Sequence, residues 1–293
     1  MDLGAAVSFV TGSARLLDRR RLDLLLGTGT PEAVLAALDG YANADGGFGW
    51  GLEPDLRGSE SQPAGAMHAL EALGEAAAVD SPRVPPLLGW LQRRTLPDGG
   101  LPFALPVRDP AGTAPFWAGA DPTASALQTT SQVAAQAHRL ARHRPDVAGS
   151  PWLRLATDYC LAAIGRIDRT PPAHELLFAV RFADAVHGVL PEADDLLDRL
   201  GRYLPADGTV PVQGGSAGEA LRPLNFSPEP DDASRRLFAP GVIEADLARV
   251  AGEQQVDGGW RVDFTSYSPM AAVEWRGYAT VDAVGILRRN GVV

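Results

Sequence analysis

Acidic side chains recur at positions where they could exchange protons with a substrate. Each lies at or near the start of a stretch that is poor in charged residues and is predicted to form a helix. They are Glu60, Asp121, Glu175 and Glu274, with Asp231 or Asp232 in the gap between the last two. Like charges gathered in a low-dielectric cavity raise one another's pKa, so that one carboxyl group can stay protonated as an acid. If these stretches are parallel helices around one cavity, the acids converge at one mouth.

The first of these acids follows a loop that mixes an aromatic ring, acids and a guanidinium group. We predict Glu60 and Asp55 as catalytic acids, together with Asp121 and Glu274 elsewhere in the chain. The loop also supplies predicted substrate-binding residues, which are Trp50, Glu53, Arg57 and Gln62.

The last acid, Glu274, has aromatic and basic neighbours along the chain. Tyr267, Trp275 and Arg276 are predicted to bind substrate, as is Glu175 earlier in the sequence. Aromatic faces beside carboxylates suit a cationic intermediate or an amine through cation–π attraction. The same surfaces also suit stacking on sugar rings.

The basic residues exclude several kinds of chemistry. All 26 are arginine, and 36 carboxylates give a net charge of −10. Without lysine there is no Schiff-base nucleophile and no P-loop ammonium group, and a net-negative chain has no general attraction for nucleic acid. We therefore expect a small-molecule ligand, no nucleic-acid partner and no cofactor.

Cysteine content and the N-terminal segment bear on the compartment. Cys160 is the only cysteine, so no intrachain disulfide can form and a reducing compartment fits. The first 27 residues contain apolar positions, but Arg15 and the run from Arg19 to Arg21 interrupt them before a membrane span is reached. These features predict a cytoplasmic protein without membrane insertion.

An Asp-Gly turn followed by an apolar residue occurs four times. The turns begin at Asp45, Asp98, Asp207 and Asp257. The spacings indicate a repeat of roughly fifty residues in which one unit, near Trp152, has lost its marker. With the terminal helices this makes five or six units.

Each repeat unit is predicted to contain two helices. The stretch before a turn is amphipathic and typical of an outer helix, as in the ranges 32–41, 86–94, 193–203 and 242–255. The stretch after a turn is rich in small residues and typical of a buried inner helix, as in 61–78, 123–142, 175–186 and 270–287.

Two all-α architectures fit this alternation, a closed ring and an open solenoid. The count near six, and long irregular segments that all follow the turns, favour closure. We therefore predict one domain over residues 1–293, an (α/α)5–6 toroid with its long loops at one mouth.

The segment from Gln254 to Trp260 has the spacing of Gln, three residues, Gly, one residue and Trp, which resembles the QW repeat of squalene and oxidosqualene cyclases. The segment from Asp45 to Gly49 is similar to the Gly-Gly-Phe repeats of protein prenyltransferase β subunits. These resemblances, over roughly residues 30–290, imply the terpenoid cyclase and prenyltransferase toroid superfamily and an isoprenoid ligand.

Two family features are only partly present. Prenyltransferase β subunits hold zinc with an Asp-x-Cys pair and a distant His; Asp158 and Cys160 match the pair, but no His follows at the expected distance. We predict no metal site, and a buried thiol at Cys160. The acids after Pro191 resemble the Asp-rich cyclase motif, yet their position predicts the first turn of a helix.

Three functions follow from these observations. The first is an enzyme or binder of an apolar, isoprenoid small molecule, with acid-initiated cyclisation or isomerisation. The second is a carbohydrate-active enzyme with two paired carboxylates, for which Glu53, Asp55, Glu60 and Glu274 are the candidates. The third is a non-catalytic scaffold that binds a protein or peptide. A partner domain or a homo-oligomer is compatible with each.

Overall fold

The structure is a computed structural model that describes residues 1–77 and 79–293. Helices account for 54% of it, and the only sheet in the described ranges is a two-stranded antiparallel hairpin. The predicted all-α class is therefore confirmed. No helix among the described residues combines the length and the apolar character that crossing a membrane requires.

The helices follow one another along the whole chain. In order, those of the described residues are α1 (Leu3–Ser13), α2 (Leu16–Leu25), α3 (Pro31–Leu38), α4 (Pro63–Glu75), α5 (Val84–Arg94), α6 (Pro115–Ala118), α7 (Leu127–Ala141), α8 (Pro145–Ala148), α9 (Pro151–Gly165), α10 (Ala173–Ala185), α11 (Ala193–Gly201), α12 (Pro223–Phe226), α13 (Pro240–Gly252) and α14 (Pro269–Arg289). The strands of the hairpin are β1 (Val210–Pro211) and β2 (Ala220–Leu221). Short 3₁₀ turns span Asp39–Tyr41 and Ala233–Leu237.

The chain divides into two compact units. Unit 1 joins the N-terminal segment Met1–Gly29 to Thr170–Val293, and unit 2 is the continuous segment Thr30–Arg169. In unit 1, α14 packs against α1, and α10 packs against α11. In unit 2, α7 packs between α4 and α9. The single domain predicted from the sequence stays a prediction.

The predicted helices agree with the structure to within a few residues. The four charge-poor stretches form α4, α7, α10 and α14, and most residues of the first three are buried. The four amphipathic stretches form α3, α5, α11 and α13, each with one buried side. The predicted inner stretch 61–78 ends at Ala78, which lies outside the described residues. Proline sets several starts, since its fixed φ suits the first helical turn.

One helix is not marked by an Asp-Gly turn in the sequence. Helix α9 begins at Pro151, where the repeat was expected to be degenerate, and it buries Trp152, Tyr159 and Cys160. Burial raises the pKa of the Cys160 thiol, which favours its neutral form. The predicted buried thiol is therefore confirmed.

All four Asp-Gly turns share one hydrogen-bond pattern. In each, the aspartate carboxylate accepts the backbone N–H two residues later, at 3.0 to 3.2 Å. The first glycine has a positive φ in all four, near +90° at Gly46, Gly99 and Gly258 and 69° at Gly208. A positive φ is costly for any residue with a Cβ, so glycine is required there. The repeat predicted from these turns is present in the backbone.

The turns at Gly46, Gly99 and Gly258 each pack against a helix. A Cβ at Gly46 would lie 2.6 Å from the carbonyl oxygen of Pro86 in α5, and one at Gly99 would lie 2.8 Å from that of Leu155 in α9. The turn at Gly258 meets Ala5 of α1 in the same way. The aspartates and glycines therefore hold helices together.

The QW-like segment connects the last turn to the first helix of unit 1. The side chain of Gln254 accepts the backbone N–H of Asp2 at 2.6 Å and donates to its carbonyl oxygen at 2.7 Å. Trp260 is buried and donates its indole N–H to the carbonyl oxygen of Val250 at 2.7 Å. Both residues of the motif therefore have structural roles here.

Candidate functional site

The predicted site residues fall into two regions, one in each unit. We call the segment from Trp50 to Gln62 in unit 2 the loop site. We call the first half of α14, with the segment that precedes it from Phe264, the helix site of unit 1. Asp121 and Glu175 lie outside these two regions and are described separately, as is Arg276, which is on α14 but contacts Asp257 and Phe9.

The loop site begins with a tight turn whose conformation is unusual for its sequence. Trp50 has a φ of 59° and Gly51 a φ of 70°, and the N–H of Leu52 donates to the carbonyl oxygen of Gly49 at 3.1 Å. Positive φ at both central positions is typical of a type I′ turn, which favours Asn-Gly. Trp50 is the only residue other than glycine with a positive φ in the described chain.

The Trp50 ring is exposed but fixed in position. Its side chain is 56% exposed, and its indole N–H donates to Asn43 Oδ1 at 2.8 Å. The amide nitrogen of Asn43 donates in turn to the carbonyl oxygen of Ser59 and to Ser61 Oγ. The orientation of the ring therefore depends on a hydrogen-bond network that spans both ends of the loop.

Glu53 is buried and holds the loop against α4. One carboxylate oxygen lies 3.1 Å from His68 Nε2, and the other accepts the N–H of Asp55 at 3.2 Å. The second ring nitrogen of His68 lies 3.4 Å from Glu71. Burial lowers the pKa of His68, but its hydrogen bonds to Glu53 and Glu71 outweigh burial and raise that pKa above the ordinary value. With a carboxylate at each ring nitrogen, the imidazolium form is favoured because both nitrogens then donate.

Gln62 joins the loop site to the following long loop. Its amide nitrogen donates to the carbonyl oxygen of Leu105 at 3.0 Å, and its amide oxygen accepts the N–H of Leu105 at 2.8 Å. The Gln62 side chain thus forms two hydrogen bonds with the Leu105 backbone, as the backbone of a neighbouring β-strand would. Gln62, predicted to bind substrate, has both ends of its amide engaged by the backbone.

An apolar cluster lies beside the buried acids. Its buried members are Leu56, Ala64, Ala104, Ala114 and Trp117, and Phe103 stacks on Trp117 with centroids 4.4 Å apart. Asp55 is 4% exposed, and its carbonyl oxygen accepts the N–H of Ala114 at 2.8 Å. The backbone N–H of Arg57 donates to Thr113 Oγ1 at 3.2 Å. The two loops of unit 2 therefore form one packed layer.

Glu60 and Asp121 lie nearer the solvent. Glu60 Oε1 is 3.6 Å from Nε of Arg108, whose side chain is 93% exposed. Asp121 accepts hydrogen bonds from the hydroxyl and the backbone N–H of Thr123, and these two bonds lower the pKa of its carboxyl. Asp121 therefore stays ionised and caps a turn, and its predicted catalytic role stays a prediction.

The helix site presents apolar side chains to solvent around one acid. Met270 is 58% exposed and Val273 is 41% exposed, and Tyr267, just before α14, is 42% exposed. Glu274 is half-buried. Residues three or four apart share a helix face, so Glu274 lies beside Met270 and one turn before Tyr278.

An aromatic ladder adjoins this acid. Trp275 contacts Phe264 and Tyr278 edge to face, with centroids 5.2 Å and 5.6 Å apart. The guanidinium group of Arg21 lies over the Tyr278 ring, 5.1 Å from its centroid. The ring faces of this ladder attract positive charge, as the position of Arg21 demonstrates.

Arg276 and Glu175 have different environments. Arg276 donates to Asp257 at 2.7 Å and lies over the Phe9 ring, so it fastens the last Asp-Gly turn to α14. Glu175 is in the first turn of α10, where burial raises the pKa of its carboxyl. Its neighbour His174 is also partly buried, and burial lowers the pKa of that imidazole. Their predicted roles in substrate binding stay predictions.

Some residues of these sites were not predicted from the sequence. His68 is buried, and its hydrogen bond to Glu53 gives the loop site its shape. His68 and Glu71 are three apart on one helix, and this spacing is the signal that could have paired them. Met270 and Val273 have the same spacing, on a face that α14 leaves exposed.

No group of three or more His, Cys, Asp or Glu within residues 1–77 and 79–293 is arranged to hold a metal ion. The comparisons with protein-family models and with curated proteins give no match to this chain.

Proposed function

We propose that the protein binds an apolar, isoprenoid-like small molecule at the helix site, and that Glu274 is the acid of this site. Protonation of an alkene carbon by the Glu274 carboxyl would give a tertiary carbocation. The Trp275 face would stabilise that cation. In an isomerisation, a proton from a neighbouring carbon would pass to the Glu274 carboxylate and leave a shifted alkene; in a cyclisation, a second alkene of the ligand would first add to the cation and form the new C–C bond.

One observation carries this proposal. Three apolar side chains, Tyr267, Met270 and Val273, are exposed within seven residues of a half-buried carboxylate. Exposed apolar clusters of this kind on a folded protein mark binding surfaces. Apolar walls with one polar group among them are typical of small-molecule sites.

The arrangement of the helices in a ring is part of the same proposal. We infer an (α/α)5–6 toroid because α1 packs against α14 and Gln254 binds Asp2, so the first and last helices of the chain meet within unit 1. An open solenoid stacks each repeat on its neighbours alone, which keeps its terminal repeats apart. The resemblance of the segment from Gln254 to Trp260 to the cyclase repeat supports the same architecture and the isoprenoid ligand class.

The test is a titration of the protein with farnesol, geranylgeraniol and their diphosphates, followed by calorimetry. We expect the double variant Met270→Ser/Val273→Ser to weaken binding at least about tenfold, since each buried aliphatic side chain contributes about 1.5–3 kcal/mol. Val189→Ser is the matched control, because Val189 is also 58% exposed in unit 1 but lies outside the helix site. It should bind as the wild type does.

Glu274→Gln separates binding from chemistry. The amide keeps the size of the side chain but cannot donate the proton, so the variant should bind the isoprenoid and form no cyclised or isomerised product in a mass-spectrometric assay. Wild-type protein that binds none of the four isoprenoids would overturn the proposal, as would equal binding by the double variant.

A further inference from the structure

We propose that the loop site of unit 2 is a glycan-binding site in which the exposed face of Trp50 stacks on a pyranose ring. Its residues all belong to unit 2, and the ligand differs from the one proposed for the helix site. The proposal covers binding only and does not depend on an isoprenoid ligand.

The first argument is the conformation of Trp50. A bulky residue at φ 59° is strained, and the type I′ turn would be relaxed by asparagine or glycine at this position. Burial does not compensate for the strain, because 56% of the side chain stays exposed. A strained residue whose packing does not explain it is typical of a functional position.

The second argument is that hydrogen bonds fix the orientation of the Trp50 ring before a ligand binds. The hydrogen bond to Asn43 fixes the edge of the indole, and the N–H of Trp50 donates to the carbonyl oxygen of Gly58 at 3.0 Å. The buried pair of Glu53 and His68 anchors the loop from the other side. A ring that is already oriented loses little conformational freedom when a ligand stacks on it.

The third argument is the chemistry around the ring. Arg57 lies against the turn, with its guanidinium carbon 3.1 Å from the place that a Cβ on Gly51 would occupy. Glu60 and Arg108 pair loosely at 3.6 Å close to Gly58. A pyranose has an apolar face for the indole and hydroxyl groups that both donate and accept. Carboxylates and guanidinium groups around an aromatic platform complement those hydroxyls.

The charges disfavour the other planar or cationic ligands that tryptophan can bind. Guanidinium groups and carboxylates both occur at this site, so neither a phosphate nor a quaternary ammonium ion meets charge of one sign alone. The net charge of −10 further opposes a nucleotide. A neutral sugar has neither conflict.

The experiment is a calorimetric titration of the full-length protein with cellotetraose, maltotetraose and chitotetraose, with adenosine monophosphate as the nucleotide probe. We expect at least one of the three oligosaccharides to bind wild-type protein in the micromolar to low millimolar range. Trp50→Asn and Trp50→Gly should each weaken that binding at least about tenfold, a loss typical of stacking by one aromatic ring.

These variants also control for folding. Both residues accept a positive φ, so the melting temperature should be unchanged or higher than that of the wild type. Phe116→Leu is the matched control, since Phe116 is 50% exposed in the same unit, and it should bind the glycan as the wild type does.

Three results would overturn the inference. They are no binding of any oligosaccharide by the wild type, unchanged binding by the two Trp50 variants, and binding of adenosine monophosphate in preference to the sugars. The helix-site variants and isoprenoid titrations use other residues and other ligands, so either proposal can fail while the other stands.

Discussion

The loop site and the helix site contain the same residue types but use them differently. In the loop site, the polar groups of Glu53 and Gln62 are engaged by His68 and by the backbone of Leu105. In the helix site, Glu274 lies among side chains that stay exposed, such as Met270. A motif of aromatic rings, acids and arginine therefore does not identify a binding residue by itself. Burial separates the side chains that hold a loop from those that can meet a ligand.

Glu53→Ala should have the largest effect on stability. It removes one partner of a buried ion pair and leaves the His68 ring and the N–H of Asp55 without that carboxylate. Breaking a buried pair in this way costs about 3–5 kcal/mol. Urea denaturation, monitored by circular dichroism, measures the free energy of unfolding.

Glu60→Ala is the control for this substitution. Its partner Arg108 is 93% exposed, so the loss should be below about 1 kcal/mol. If the two substitutions cost the same, Glu53 does not anchor the loop and the contrast between the two sites fails.

The pH dependence of unit 2 should reveal a second, half-buried histidine, His138. Burial lowers its pKa from 6.5 to about 4, with a smaller contribution from the charge of Arg142. A lowered pKa means that the unfolded chain takes up the proton first. The titration of His138 therefore does not reduce the free energy of unfolding above pH 6.5. That free energy declines as the pH falls towards 4, by about 3 kcal/mol in all.

Denaturation curves collected between pH 7 and pH 4 measure this decline. His138 Nε2 lies 2.8 Å from Thr157 Oγ1, and glutamine at position 138 could keep a hydrogen bond to that hydroxyl. His138→Gln should therefore flatten the acid side of the profile. An unchanged slope in the variant would assign the acid sensitivity to other groups.

His68 should act in the opposite direction. Its pKa is raised above 6.5 because the hydrogen bonds to Glu53 and Glu71 outweigh burial. The stabilisation is complete below pH 6.5 and is lost as the pH rises through the pKa of the folded protein. Melting temperatures between pH 6 and pH 10 should fall more steeply for the wild type than for His68→Gln. Parallel profiles would show that the imidazolium form does not support the loop.

The sequence predicted the elements of this fold better than its sites. Glycine, proline and charge patterns place α4, α7, α10 and α14 within a few residues, because local propensity and burial agree there. The bounds of helix α9 were not predicted because no Asp-Gly turn follows it. The predicted acids lie in different environments. A carboxylate at a helix start or in a turn accepts hydrogen bonds from its neighbours in the chain, as Asp121 does from Thr123.

Aromatic exposure was the least predictable property. The sequence around Trp50 and Trp275 would also fit tryptophans packed in a core. Only the structure shows that Trp50 lies in a turn with Gly51 and that Trp275 contacts Tyr278 edge to face. Side-chain pairing across loops, such as Gln62 with Leu105, depends on tertiary contacts that no local pattern encodes.

Glu274→Gln should have the smallest effect on stability, and this small effect is informative. An amide of the same shape on a partly exposed helix position changes the free energy of unfolding by about 0.5 kcal/mol or less, unless the carboxylate supports the fold. Urea denaturation beside Glu53→Ala gives the comparison directly. A change near zero in the free energy of unfolding, with isoprenoid binding retained, would support a chemical role for the Glu274 carboxylate. A loss above about 2 kcal/mol would make Glu274 a structural acid like Glu53, and the distinction between the two sites would then fail.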